Sequence, residues 1–264
     1  MKKERESFEY QWNRVYKQRF TSTQMAIVKI RAEFLGTSGI STEWIGGKKV
    51  LDMGCGPGRL SFALKSLGAR VVAVDFIGSC LKSIKKKSSK IDTVEADFNS
   101  LPFKEASFNL IICVGVLHHT PAPKENFMKL VTLLKKGGVM HIMVYERYNP
   151  IKLWLTDRLR KMIGGMTYEK RMMICRKIAA LNYYPGINKL ARLFIDVPHT
   201  AMSTFDRYSN QYHSHHTENE VISWYKKSGF GDVKIMSPIL NKNPISRFLK
   251  GKHSGVLYVT GRLK

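Results

Sequence analysis

The chain is predicted to be an α/β protein: a doubly wound, seven-stranded, mostly parallel sheet (a Rossmann-like arrangement) with a helical cap inserted after the fifth strand. Three observations carry this expectation. Short apolar runs alternate with amphipathic helical stretches from about residue 45 to 146, the pattern of a parallel sheet covered on both faces. A glycine-rich turn, Gly54-Cys55-Gly56-Pro57-Gly58, separates the first run from the first helix behind it. After Tyr148 the alternation stops, and it resumes only at Thr217.

The first strand ends at Met53, and a helix begins near Arg59 and runs to Gly68. Glycine at 54, 56 and 58 allows positive φ and close approach of a ligand. The helix N-terminus behind them offers free N–H groups and the positive end of a dipole, which together hold an anionic or nucleotide-like group. The dinucleotide fingerprint G-x-G-x-x-G does not fit, because its third glycine would fall at Arg59 and Pro57 sits inside the loop. The second strand, Arg70 to Asp75, ends in an acid whose carboxylate can accept from both hydroxyls of a ribose, and Phe76 follows it. The third runs from Asp92 to Ala96, followed by Asp97 and Phe98. The fourth runs from Phe108 to Val114 and leads into Gly115-Val116-Leu117-His118-His119. The fifth covers Gly138 to Tyr145, after a turn at 134–138. Asp52, Gly54, Asp75, Asp97 and Val114 all fall on the carboxyl edge, where ligands of such sheets sit.

The D-x-G-x-G-x-G turn from Asp52 to Gly58 resembles the cofactor loop of class I S-adenosylmethionine (SAM) methyltransferases. So does Ala96-Asp97 followed by Leu101-Pro102-Phe103 and Ser107-Phe108-Asn109. Residues 45–146 are most similar to the broad group that includes ubiquinone- and menaquinone-biosynthesis methyltransferases. The resemblance implies SAM as cofactor, with Gly54 and Gly56 against its methionine part and ribose. It implies Asp75 on the ribose hydroxyls, Phe76 against the adenine, Asp97 accepting from the adenine amino group and Phe98 as a second apolar wall. His119 aligns with a histidine that recurs at this point in quinone-type O-methyltransferases, which makes it the candidate general base; imidazole is the usual base near neutral pH. Tyr145 is placed to contact substrate. The implied acceptor is small or lipid-like, methylated on oxygen or carbon. Phe8-Glu9-Tyr10-Gln11-Trp12 and Phe205-Asp206-Arg207-Tyr208-Ser209 resemble pieces of uncharacterised members and point to no substrate.

The 264 residues are read as one methyltransferase domain. It comprises an N-terminal helical segment (1–44), a cofactor-binding core (45–147), a helical cap or substrate lid (148–216), and a C-terminal helix with two strands (217–264). Thr217-x-x-Glu220 is a capping box, Gly229 ends the helix it starts, and the last two strands are expected to form an antiparallel hairpin joined by the basic 238–255 segment. No apolar stretch reaches membrane-span length and no signal peptide is visible, so a cytoplasmic location is expected. Cys55, Cys80, Cys113 and Cys175 form no C-x-x-C pair. No metal site is expected, because the spacing of His213, His215 and His216 is not that of a metal centre.

Lys and Arg number 44 against 20 acids, a formal net charge of +24. Between Arg147 and Arg192 there are 11 Lys/Arg against two acids, Asp157 and Glu169, with Trp154 and Leu155 among them. Such a segment is suited to an anionic membrane surface. The charge also suits RNA, but the fourth-strand edge reads Val114-Gly115-Val116-Leu117 rather than Asn/Asp-Pro-Pro-aromatic, and Cys113 follows Ile112 rather than proline. Both nucleobase-methylation signatures are therefore missing, and RNA methylation stands as the alternative, beside SAM binding without catalysis.

Overall fold

A computed structural model describes residues 2–12, 24–237 and 255–264. The seven strands are β1 (Lys49–Met53), β2 (Arg70–Asp75), β3 (Asp92–Glu95), β4 (Phe108–Val114), β5 (Leu134–Tyr145), β6 (Phe230–Ile235) and β7 (Val256–Leu263). They form one sheet in the order β3-β2-β1-β4-β5-β7-β6. β1 to β5 are mutually parallel, and β7 pairs antiparallel with both β5 and β6. The doubly wound sheet and the finishing hairpin are as the alternation predicts. The 238–255 connection lies, but for Gly255, outside the described residues.

The described helices are α1 (Lys2–Tyr10), α2 (Gln24–Ser38), α3 (Thr42–Ile45), α4 (Arg59–Ser66), α5 (Gly78–Lys87), α6 (Pro123–Thr132), α7 (Pro150–Gly164), α8 (Tyr168–Ala180), α9 (Pro185–Phe194), α10 (Ala201–Ser209) and α11 (Glu218–Lys227). Strand periodicity explains the layers. Leu51, Met53, Val72, Val74, Ile111 and Cys113 pack on one face with Phe127 of α6 and Trp224 of α11. Their alternates Val50, Val71, Ala73, Leu110 and Ile112 pack on the other face with Phe34 of α2, Leu64 of α4 and Ile84 of α5. Consecutive side chains point to opposite faces, so a run that is apolar throughout needs a helix on each side.

β5 departs from the expected boundary. Phe108 pairs with Leu134 and Leu110 with Val139, so the extra residues around Gly137 (φ +74°) are looped out within one continuous pairing rather than forming a turn before the strand. Thr217 caps α11 through the reciprocal pattern with Glu220.

The described residues separate into two compact units. One holds the sheet: 24–146, 214–237 and 256–264. The other is helical: 2–12, 147–213 and Gly255, so α1 belongs with α7–α10. Its apolar core gathers Ile163, Met172, Cys175, Val197, Phe205 and Tyr208, and Tyr10 stacks on Tyr168 and Phe205 at ring separations of 5.3 and 5.6 Å. The two pieces that carried no functional reading, 8–12 and 205–209, thus meet in one hydrophobic cluster.

The polar centre of the helical unit is Asp196. Its carboxylate receives Lys152 Nζ at 3.2 Å, Arg207 at 3.4 Å and the Tyr148 hydroxyl, and its carbonyl accepts from Tyr208 Oη at 2.6 Å. Burial pulls the Asp196 pKa up, but Arg207, Lys152 and Tyr148 outweigh it and hold the group below the usual carboxylate range. Removing one member of a buried ionic cluster leaves uncompensated charge, at about 3–5 kcal/mol. Asp196→Ala is expected to expose the α7–α10 segment to protease and hydrogen exchange while the sheet amides keep their protection. Unchanged exchange in α7 and α10 would contradict this role.

Candidate functional site

The carboxyl ends of β1, β2 and β4 meet where the strand order reverses, between β1 and β4. The turn after β1 takes positive φ at Gly54 (+71°), Gly56 (+50°) and Gly58 (+86°), a conformation only glycine adopts without strain. The turn is tied to β2. Val74 O accepts from Gly54 N at 2.8 Å and from Cys55 N at 2.9 Å. Gly56 N donates to Asp75 Oδ2 at 2.8 Å, and Ile77 N donates to Asp75 Oδ1 at 2.9 Å. A β-carbon at Gly54 would lie 2.3 Å from Val116 Cγ2, so the loop after β4 presses directly on the glycine turn.

Asp52 and Asp75 are both buried. Asp52 accepts from Ser61 Oγ of α4 at 2.6 Å. Burial pushes its carboxyl up to about 6, the Ser61 hydroxyl works against the rise, and Asp75 adds to it. Burial likewise pushes Asp75 up to about 6, opposed by the N–H groups of Gly56, Ile77 and Phe76. Phe76 and Val114 are half-buried at the edge. Asp97, also half-buried, accepts from Asn99 N at 2.7 Å. Phe98 goes into the core cluster, 9% exposed.

His119 lies on a short 3₁₀ turn, 117–119, and is buried. Its ring meets Tyr145 edge-on at 5.6 Å, and His118 lies 3.8 Å from Tyr145 and 4.3 Å from His119. Tyr145 also stacks on His215 at 5.8 Å. A strap from the following segment holds this group together: Ser214 N donates to His118 O at 2.9 Å, and His216 N donates to Tyr145 O at 2.8 Å. His216 is pinned by Glu220 at Nδ1 (2.8 Å) and Ser214 at Nε2 (2.9 Å), and it meets Trp224 edge-on. No group of three or more metal-ligating side chains occurs among the described residues.

The structure therefore brings Asp52, Gly54, Gly56, Asp75 and Phe76 into one bonded turn region. It places Val114 and His119 on the adjoining strand end and the loop after it. Sequence reading missed Ser61, Val116 and the 214–216 strap. Ser61 carries only the weak signal of a hydroxyl on the first turn of the helix behind the glycines.

Residues 51–142 match the profile of a family described as a methyltransferase domain. That match is confined to this stretch of the chain, which holds the glycine turn, Asp75 and His119. Among curated proteins the domain is similar to the ubiquinone biosynthesis O-methyltransferase of Idiomarina loihiensis, 34% identical over 132 residues, or 48% of this chain and 54% of that protein. It is also similar to the demethylmenaquinone methyltransferase of Clavibacter sepedonicus, 32% identical over 97 residues, 36% of this chain and 40% of that protein. The chain thus spans about half or less of the length of these relatives. The methyltransferase fold extends over more of the chain. A crystal structure of the Burkholderia thailandensis 1,6-didemethyltoxoflavin-N1-methyltransferase, with bound 1,6-didemethyltoxoflavin and S-adenosylhomocysteine, covers 98% of this chain and 87% of its own. It does so at 17% identity with a TM-score of 0.54.

The buried acids of the methyltransferase domain predict a pH dependence. A folded-state pKa near 6, above the unfolded value of about 3.9, gives stability that is present below about pH 4 and lost as pH rises through 6. His141, pushed down to about 3 by burial, has the opposite sign, with stability lost as pH falls below about 6.5. Comparison of Asp52→Asn with wild type isolates the first effect. The variant is expected to gain stability relative to wild type between pH 4 and 7, and thermal melts across that range measure it. A constant difference would mean that Asp52 is not shifted.

Proposed function

We propose that the chain is an SAM-dependent methyltransferase acting on an oxygen or carbon of a small or lipid-like acceptor. The observation that carries this reading is the positive-φ glycine turn bonded to the buried Asp75 at the switch point of the sheet. The names of the relatives, which act in quinone biosynthesis, support the acceptor class.

The residues present fit the cofactor. Gly54 lets Val116 of the loop after β4 close against the turn, Gly56 presents its N–H to Asp75, and Asp75 keeps lone pairs beyond the two N–H bonds it accepts, enough for the ribose hydroxyls. Asp52, held through Ser61, sets the end of β1 beneath the turn. Phe76 and Phe98 are assigned to the adenine faces, Asp97 to the amino group and Val114 to the floor at the β4 end. Bound there, SAM supplies a methyl group activated on a sulfonium sulfur. The protein then has to align the acceptor and exclude water, the main source of rate in such a displacement. His119 Nδ1 or Nε2 is assigned the proton of an acceptor hydroxyl, with Tyr145 fixing the orientation of the imidazole ring through their edge-on contact.

The net charge of +24 favours RNA as a second reading; it requires an affinity for RNA that falls steeply with salt. The acceptor itself is to be found by profiling extract products labelled from methyl-labelled SAM. A cytoplasmic location accords with this reading, and among the described residues no helix is long and apolar enough to cross a membrane.

Two variants test the assignments. Asp75→Ala leaves ribose hydroxyls unpaired in a dry site, a loss of roughly 1–3 kcal/mol; calorimetry showing SAM affinity within twofold of wild type would remove Asp75 from the site. His119→Ala is expected to keep SAM affinity and lower kcat by roughly 10²–10⁴, with partial recovery at high pH for an acceptor that ionises unaided. An unchanged kcat returns His119 to a structural role.

A further inference from the structure

Helix α9 is packed inside out. Its sequence, Pro185-Gly186-Ile187-Asn188-Lys189-Leu190-Ala191-Arg192-Leu193-Phe194, puts Ile187, Leu190, Leu193 and Phe194 on one stripe at helical spacing. An amphipathic helix ordinarily buries such a stripe. Here those four side chains are 43–61% exposed, and no residue of α9 is buried. The face turned toward the helical unit is the polar one. Arg192 donates to Asn188 Oδ1 at 2.6 Å, to Asn182 Oδ1 at 2.9 Å and to Val197 O at 2.9 Å, and Asn188 donates to Asn182 Oδ1 at 3.2 Å. Ala191 supplies the only apolar contact of α9 with the unit's core cluster among the described residues. The hydrogen bonds hold the helix in this orientation, so the outward stripe is a built feature of the packing.

The surroundings of the stripe identify its partner. The two residues before α9 are Tyr183 and Tyr184, both exposed, and Lys189 falls at the border of the stripe, also exposed. α7, which packs on α9, exposes Ile151 and Trp154 one turn apart, with Arg158 stacked over the Trp154 ring at 4.6 Å. Exposed apolar side chains, exposed Tyr and Trp, and cations with few acids are the composition of a helix that lies in a bilayer interface. A protein partner needs no such excess of cations, whereas anionic headgroups attract each of them.

We propose that the α9 stripe, with the Ile151–Trp154 edge of α7, seats the protein on an anionic lipid bilayer, α9 lying in the plane of the interface. Ile187, Leu190, Leu193 and Phe194 enter the boundary between headgroups and acyl chains, and Lys189 and Arg158 pair with lipid phosphates. This surface stands on packing, exposure and charge, independently of the methyl-transfer reading.

Sedimentation of the full chain with phosphatidylcholine vesicles, and with vesicles containing one-third phosphatidylglycerol, tests it. Wild type is expected to partition at least tenfold better onto the anionic vesicles at low salt and to lose part of that preference at high salt. The double variant L190Q/F194Q changes only exposed side chains. It is expected to lose tenfold or more in partitioning while its melting temperature and SAM affinity stay put. Phe194→Trp supplies a measurement free of any loss of stability: its emission is expected to be quenched by brominated acyl chains. Negligible binding to both vesicles, or binding unchanged in the double variant, overturns the proposal. A wild-type dimer that L190Q/F194Q dissociates, without vesicle binding, assigns the stripe to a second copy instead. Displacement by RNA with no effect of the double variant assigns the charge to RNA.

Discussion

The carboxylate of Asp75 holds the glycine turn onto the end of β2, and the rest of the candidate site hangs from that contact. Both carboxylate oxygens accept a backbone N–H, one from the turn after β1 and one from the start of the α5 connection. Val74, one residue earlier, takes two more N–H groups from the turn. Successive amides can all aim at one neighbouring strand only if the backbone enters the left-handed region, which is why glycine stands at 54, 56 and 58. The same compactness brings the loop after β4 into contact, since Val116 occupies the space a side chain at 54 would need. The turn, both neighbouring strands and the histidine-bearing loop are therefore one mechanical assembly.

Electrostatically the two units are built to opposite ends. The sheet unit buries two acids at its carboxyl edge and holds them with neutral donors, Ser61 and backbone amides. No cation neutralises them in the described contacts, so both are raised toward 6. A site of this kind favours a ligand that brings hydroxyl donors or positive charge. The helical unit buries its acid, Asp196, between Lys152 and Arg207 and is left with an excess of surface cations. Its basic character thus belongs to the surface, where it governs long-range attraction, and has no counterpart at the edge of β1 and β2.

The histidines show how neighbours divide similar residues into different roles. His216 has a partner on each ring nitrogen and packs on Trp224, the marks of a positioning residue at the start of α11. His118 and His119 cluster with Tyr145 at the mouth of the sheet, and the 214–216 strap fixes the backbone of both elements. A histidine-dense stretch of sequence thereby becomes scaffolding for two histidines almost a hundred residues earlier.

Periodicity, turn chemistry and strand-end acids were legible in the chain because each is a short-range property. Strands with apolar residues at every position demand two covered faces, three alternating glycines demand a left-handed turn, and Thr217 with Glu220 demands a helix start. Asp52, Asp75 and Val114 could be placed on one edge from these rules alone. The looped-out residues within β5 could not, because Lys135-Lys136-Gly137-Gly138 reads as a turn until the pairing of Leu134 with Phe108 is known. Nor could the bond from Ser61 to Asp52, the meeting of residues 8–12 with 205–209, or the packing of Phe98 into the core cluster. The orientation of α9 is the plainest case. Its sequence determines that an apolar stripe exists, but hydrophobic spacing is the same whether a stripe faces a core or the outside. Only the tertiary hydrogen bonds of Asn188 and Arg192 decided that it faces outward.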